Sequence, residues 1–151
     1  MKIEEAIRQT RPFASVHQKM LVNLLFTAHH FQYLSNELFG MYDISWQQFN
    51  ALRILRGSHP KPLSLKDIRE RMIDKTCDVS RLIDRLEKKS LVERHTCPND
   101  MRKSEVNITA KGLDLLTEIQ ANQEVQPEHV CGQLSEKEAD NLSDLLDKLR
   151  G

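Results

Sequence analysis

The chain is 151 residues long, 29% charged and 5% aromatic, with 22 Lys/Arg against 22 Asp/Glu. That length holds one domain with a substantial core. No apolar run approaches the roughly 20 residues that cross a bilayer, and the first residues lack a signal peptide's apolar centre, so a cytoplasmic chain with no membrane partner is expected.

From the N-terminus, residues 1–11 read as a short helical arm with Ile3, Ala6 and Ile7 on one side. Pro12 suits the first turn of a new helix. Apolar residues then recur at Leu21, Leu24, Leu25, Ala28, Phe31, Leu34 and Leu38, which predicts one long amphipathic helix over 13–39, ended by Gly40. Ser45 and Gln48 form a capping box that opens a second helix, with Phe49, Leu52 and Leu55 inward. Residues 57–62 are a Gly/Pro breaker cluster, and Leu63 adds a short strand.

Ser64 and Asp67 cap a third helix, with Leu65, Ile68 and Met72 inward. A turn over 73–75 leads to a fourth helix, 76–89. There Val79, Leu82, Ile83 and Leu86 fall at i, i+3, i+4 and i+7 and set the core face. Residues 91–96 and 104–108 read as two short strands, joined by turn chemistry at Pro98, Asn99 and Asp100. Thr109 caps a fifth helix over 110–124, which Pro127 breaks. Ser135 and Glu138 open a last helix with Leu142, Leu145, Leu146 and Leu149 on one stripe. Two short helices followed by a hairpin make a helix-turn-helix with a wing, an arrangement suited to duplex DNA.

Charge follows that division. Residues 44–109 carry fourteen Lys/Arg against nine Asp/Glu, a net of +5, and residues 110–151 carry four against nine, a net of −5. The basic excess sits where phosphate contacts would be needed. A charged helix face alone is usually just a solvated surface. The hairpin that follows raises the DNA reading above that.

A rotation of about 100° per residue turns Cys77, Arg81, Asp84 and Lys88 away from the core, flanked by Thr76, Asp78, Ser80 and Arg85. The first turns of such a helix reach base edges, so Thr76, Cys77, Asp78, Ser80 and Arg81 are the candidates for the major groove. Arg81 matches guanine through its two-nitrogen fork, and Asp78 matches the cytosine amino group. Lys75, Arg85, Lys88 and Lys89 are placed for phosphates. At the hairpin tip, Asp100, Arg102 and Lys103 are the minor-groove candidates, with Asp100 holding Arg102 by a charge-assisted hydrogen bond.

The run from Asp78 to Leu116 resembles the core of the multiple-antibiotic-resistance regulator (MarR) family. The shared features are the wing's Asp100-Met101-Arg102, a strand ending in Ile108-Thr109, and Lys111-Gly112 followed by Leu115-Leu116. Residues 133–149 resemble that family's last helix, and the likeness runs in order over about 13–150. It implies an obligate homodimer joined through the terminal helices and bound to a pseudo-palindromic operator. It also implies the fourth helix in the major groove and Arg102 in the minor groove. The fold class expected is mainly α with a small β-hairpin wing: a winged helix-turn-helix with long N- and C-terminal dimerisation helices. Residues 1–151 form a single domain, with 44–109 the DNA-binding lobe and 1–43 with 110–151 the dimerisation lobe. One departure is Ser90, where the family commonly has Gly; Ser90 carries strain or adopts a different cap.

The function expected is a transcriptional regulator, a repressor released by a small ligand. The resemblance implies an effector cleft between the dimer helices and the winged lobe, with Trp46, Phe49 or His29 nearby and no ligand residue assigned. Two alternatives come from other classes. One is a winged-helix protein-interaction module without DNA. The other is a redox sensor in which Cys77, exposed beside Arg81 and Lys75, has a lowered pKa. Members that sense organic peroxides use a first-helix cysteine, which is missing here.

Cys77, Cys97 and Cys131 are odd in number and lack CxxC spacing, which argues against a disulfide framework. His29 and His30 are adjacent, and His17, His59, His95 and His129 are scattered, so no metal or other cofactor is expected. No Gly-rich phosphate loop, GxSxG or HExxH is present, and no catalysis is expected.

Overall fold

The structure, a computed structural model, describes the backbone of residues 1–151 and every side chain except those of Cys97, Met101 and Arg102. Helix α1 (Ile3–Ala6) precedes the 25-residue α2 (Val16–Gly40), α3 (Trp46–Ser58), strand β1 (Leu63–Ser64), α4 (Leu65–Arg71) and α5 (Val79–Lys88). The hairpin β2 (Val92–Cys97) and β3 (Asp100–Ile108) follows. Then come α6 (Ala110–Ala121), a 3-10 turn at Gln123–Val125, α7 (Pro127–Val130) and α8 (Glu136–Arg150). The fold is mainly α with a three-stranded antiparallel sheet in the order β1-β3-β2, in which Leu63 pairs with Val106.

Local signals place most of these elements. The boxes at Ser45, Ser64 and Ser135 all form, each Ser oxygen accepting from the backbone N–H three residues on. Four boundaries depart from expectation. The long helix starts at Val16 rather than at Phe13, because Ser15 accepts from the Gln18 N–H at 3.1 Å and the Gln18 side chain returns to the Ala14 N–H at 2.7 Å. The fourth helix starts at Val79 rather than Thr76, because Asp78 is its N-cap. Helix α6 ends at Ala121, and Pro127 then sits in the first turn of α7 instead of breaking α6. The hairpin turn is Pro98-Asn99. Asp100 already pairs with Cys97 in the ladder, so Asp100 to Lys103 begin β3 rather than form the tip.

The core gathers α3, α4, α5, the sheet and α6 around Leu52, Ile68, Met72, Ile83, Leu86 and Leu116. The terminal helices contribute little to it. Only Phe39 of α2 is buried, and no residue of α8 is. Met20, Leu21, Leu25, Phe26 and Tyr33 of α2 are exposed, as are Leu142, Leu145 and Leu149 of α8. Apolar surface of that extent marks an association face.

Candidate nucleic-acid interface

The turn between α4 and α5 is held from below by α3. Asn50 Oδ1 accepts from the Ile73 N–H at 3.0 Å, and the Gln47 amide donates to Asp74 Oδ2 at 3.4 Å. Asp74 Oδ1 accepts from both the Thr76 N–H (2.9 Å) and its hydroxyl (2.7 Å). Those Thr76 bonds, with the Gln47 contact, hold the Asp74 carboxyl below its ordinary pKa. Thr76 is exposed but committed to this turn. Lys75, also exposed, donates from Nζ to the Glu70 carbonyl at 2.7 Å.

Helix α5 presents three faces, which a rotation of about 100° per residue separates cleanly. Val79, Leu82, Ile83 and Leu86 are buried in the core. Ser80, Asp84 and Glu87 line the flank toward β2. Arg81, Arg85 and Lys88, all exposed, form the third face, a wholly basic stripe open to solvent. Arg81 is 80% exposed, and its Nε lies 3.4 Å from Asp78 Oδ2, a surface pair worth little.

Several expected contact residues therefore stand elsewhere. Asp78 is spent as the N-cap, accepting from the Arg81 N–H at 3.2 Å. Ser80 is half-buried on the β2 flank. Asp84, expected to face outward, pairs with Arg94 at 2.9 Å. Cys77 precedes the helix, so helical rotation does not govern it; it is half-buried and packs against the core. Burial, reinforced by Asp74 and Asp78, pushes its thiol pKa up, the reverse of the lowered value that sensing requires. Lys89 is drawn away from the basic stripe: its Nζ binds the carbonyl and carboxylate of Asp43, 46 residues earlier, the latter at 3.0 Å. Asp100 is half-buried and Lys103 exposed, whereas the Arg102 side chain, with its expected Asp100 contact, lies outside the described residues.

The exit of α5 is tightly tied. Ser90 has φ 60°, the left-handed conformation that glycine would adopt without strain. The Ser90 N–H donates to the Glu87 carbonyl (2.8 Å) and the Leu91 N–H to that of Leu86 (3.0 Å), a Schellman closure. Helix α6 grips this exit from the other side. The Thr109 hydroxyl donates to the Ser90 carbonyl (2.7 Å), its N–H to that of Leu91 (3.1 Å), and Lys111 Nζ to that of Lys89 (2.9 Å). These contacts give the Ile-Thr-x-Lys-Gly run its physical meaning.

A cleft of about 430 Å³ opens between α2, α3, α6 and the segment beyond α6. Its walls include Phe39, Trp46, Phe49, Arg53 and Arg56. Phe39 and Phe49 stack with centroids 4.1 Å apart. His29 does not line it. Among the described residues there is no group of three or more His, Cys, Asp or Glu arranged for a metal ion, and no helix long and apolar enough to cross a membrane.

A helix-turn-helix whose second helix exposes a basic stripe, followed by a hairpin, defines the winged helix-turn-helix class. The sequence model of the MarR family matches residues 44–104. The chain is 26% identical over 102 residues to the HTH-type transcriptional regulator MhqR of Bacillus subtilis (strain 168), spanning 68% of this chain and 69% of that protein. The crystal structure of a MarR transcription factor from Planctomyces limnophilus is 32% identical, with TM-score 0.68, over 92% of this chain and 98% of that one. A mutant MarR from E. coli, complexed with operator DNA, shares the fold at TM-score 0.72 and 24% identity, over 90% of this chain and 99% of its own. The chain belongs to the MarR family of transcription regulators.

Proposed function

We propose that the protein is a homodimeric, sequence-specific DNA-binding repressor, working in the cytoplasm and released from a pseudo-palindromic operator by a small ligand. The observation that carries this is the open face of α5, where Arg81, Arg85 and Lys88 are exposed together while every apolar side chain of that helix is buried. Arg81 reads bases in the major groove, with Thr76 beside it. Arg85, Lys88 and Lys75 hold phosphates, and Arg102 with Lys103 enters the minor groove. The operator complex of the E. coli neighbour supports this placement of the shared fold. Residues 44–109 serve as the reading lobe. Residues 1–43 and 110–151 form the dimer, through the exposed leucines of α2 and α8.

Ligand release works through the 430 Å³ cleft, whose wall α6 also grips the exit of α5. An occupant that binds one arrangement of the dimer better than the other shifts the spacing of the two recognition helices off two half-sites about one turn apart. The protein-interaction and redox alternatives have no observation in their favour, and the raised Cys77 pKa runs against the second.

Selection of bound duplexes from a random pool, followed by salt titration, tests the reading. A palindrome is expected, with log affinity falling against log salt by about 0.9 per phosphate neutralised. Arg81→Ala should relax base preference by about 1–3 kcal/mol, and Arg102→Ala should weaken binding. Salt-insensitive binding or the absence of a palindrome would refute the assignment.

A further inference from the structure

Resting on the DNA reading above, we propose that Arg94 is a positioning residue for operator recognition. It clamps β2 onto the flank of α5, so that wing and recognition helix enter neighbouring grooves as one rigid body. Arg94 lies inside the most basic part of the chain, yet it is turned away from solvent: its side chain is 22% exposed, against 80% for Arg81. Its guanidinium reaches Asp84 Oδ1 at 2.9 Å and donates to the Ser80 carbonyl at 3.3 Å. Its backbone N–H donates to Glu87 Oε1 at 3.4 Å. Ser80, Asp84 and Glu87 occupy three successive turns of one α5 flank, so a single strand residue is held along most of the helix.

Arginine suits this half-buried position. One terminal nitrogen, Nη2, serves both the carboxylate and the carbonyl, and arginine's length and planar, weakly hydrated head let it do so while mostly withdrawn from water. The clamp also sits at the right place in the hairpin. Arg94 pairs with Val106, which is fully buried, while the turn is farther out at Pro98-Asn99. A two-point grip gains most from its second contact when the linkage holds that contact where its site lies. Without the side-chain clamp the hairpin is still joined to α5 by the Arg94 N–H to Glu87, the buried Leu91-Val92 segment and the sheet. Those contacts, with β1 on β3, keep the base of the hairpin folded in the variants below.

The test uses the full-length chain on its selected operator, with two footprints read side by side. Methylation protection at guanine N7 reports the recognition helix, and hydroxyl-radical protection of the flanking minor groove reports the wing. Arg94→Met should keep the first, lose the second, and weaken binding about tenfold. Arg102→Ala should weaken the parent but change Arg94→Met by less than about twofold, as expected for residues acting through one element. Asp84→Asn, which leaves the Arg94 stem packed, should give the same split and carries the test if Arg94→Met does not fold. Parallel loss of both footprints in Asp84→Asn or in folded Arg94→Met, or an equal cost of Arg102→Ala in both backgrounds, overturns the clamp. A parent that protects no DNA overturns the DNA reading itself, and the clamp falls with it.

Discussion

Gly112→Ala is the substitution whose outcome the geometry fixes most tightly. A methyl group there would lie 2.4 Å from the Leu91 carbonyl oxygen and 2.7 Å from Ile108 Cγ1. Carbon and oxygen ordinarily approach no closer than about 3.3 Å, so roughly 0.9 Å must be found. The oxygen cannot easily yield it. It accepts from the Thr109 N–H at 3.1 Å, and the same residue's N–H closes α5 on the Leu86 carbonyl at 3.0 Å. Leu91 is 3% exposed and Ile108 5%, so neither has space to retreat. The first turn of α6 must therefore move, costing about 3 kcal/mol as overpacking. Alanine's higher helix propensity offsets roughly 1 kcal/mol of that, leaving a net destabilisation of about 2 kcal/mol. Gly57→Ala is the internal comparison. It lies inside α3 with no heavy atom within 4 Å of the added carbon, so it should stabilise by about 0.5–1 kcal/mol. Urea denaturation at one fixed protein concentration measures both. If Gly112→Ala is as stable as the parent, the close approach of α6 to the α5 exit is wrong.

Other outcomes follow from features already described. Ser90→Gly should relieve about 1–2 kcal/mol of left-handed strain, less about 0.5–1 for glycine's freedom in the unfolded chain; a lower urea midpoint would contradict the Ser90 conformation. Alkylation followed by mass spectrometry should label the exposed Cys131 before the half-buried Cys77, whose raised pKa leaves less thiolate at neutral pH; faster labelling of Cys77 would reopen the sensing role. Because the Asp74 pKa is lowered in the folded state, its stabilisation is present above its unfolded pKa and is lost as pH falls through the lowered folded value. Asp74→Asn should therefore flatten the acid side of the stability profile, and an unchanged profile would remove Asp74 from the turn's support.

What could be read from the sequence divides along physical lines. Periodicity gave the core face of α5 residue for residue, because a helix in contact with a core repeats its contacts every turn. Capping boxes gave the starts at Ser45, Ser64 and Ser135, because cap and partner lie three residues apart. The Asp78 cap is equally local, and because the helix begins only after it, the helical rotation does not reach Thr76 or Cys77, which packs against the core instead of facing outward. The open stripe is only half legible: Arg81, Arg85 and Lys88 stand where rotation puts them, whereas Asp84 and Lys89 are taken up by partners and Ser80 is half-buried on the β2 flank. Arg94 and Asp43 were invisible as partners. Nothing local signals that a strand arginine will seek a helix flank, or that a loop aspartate will reach a lysine 46 residues on.

The helix at the chain's end carries a consequence of its own. Helix α8 has 15 residues and buries none of them. Isolated helices of about that length are marginal in water, since each must nucleate without tertiary contacts. Its capping box and its acidic-to-basic charge order lessen this deficit without removing it. The tail of a lone chain is therefore close to its own helix-coil midpoint. Association and the ordering of α8 are then one coupled equilibrium, and dilution alone should melt the tail while the winged lobe stays folded.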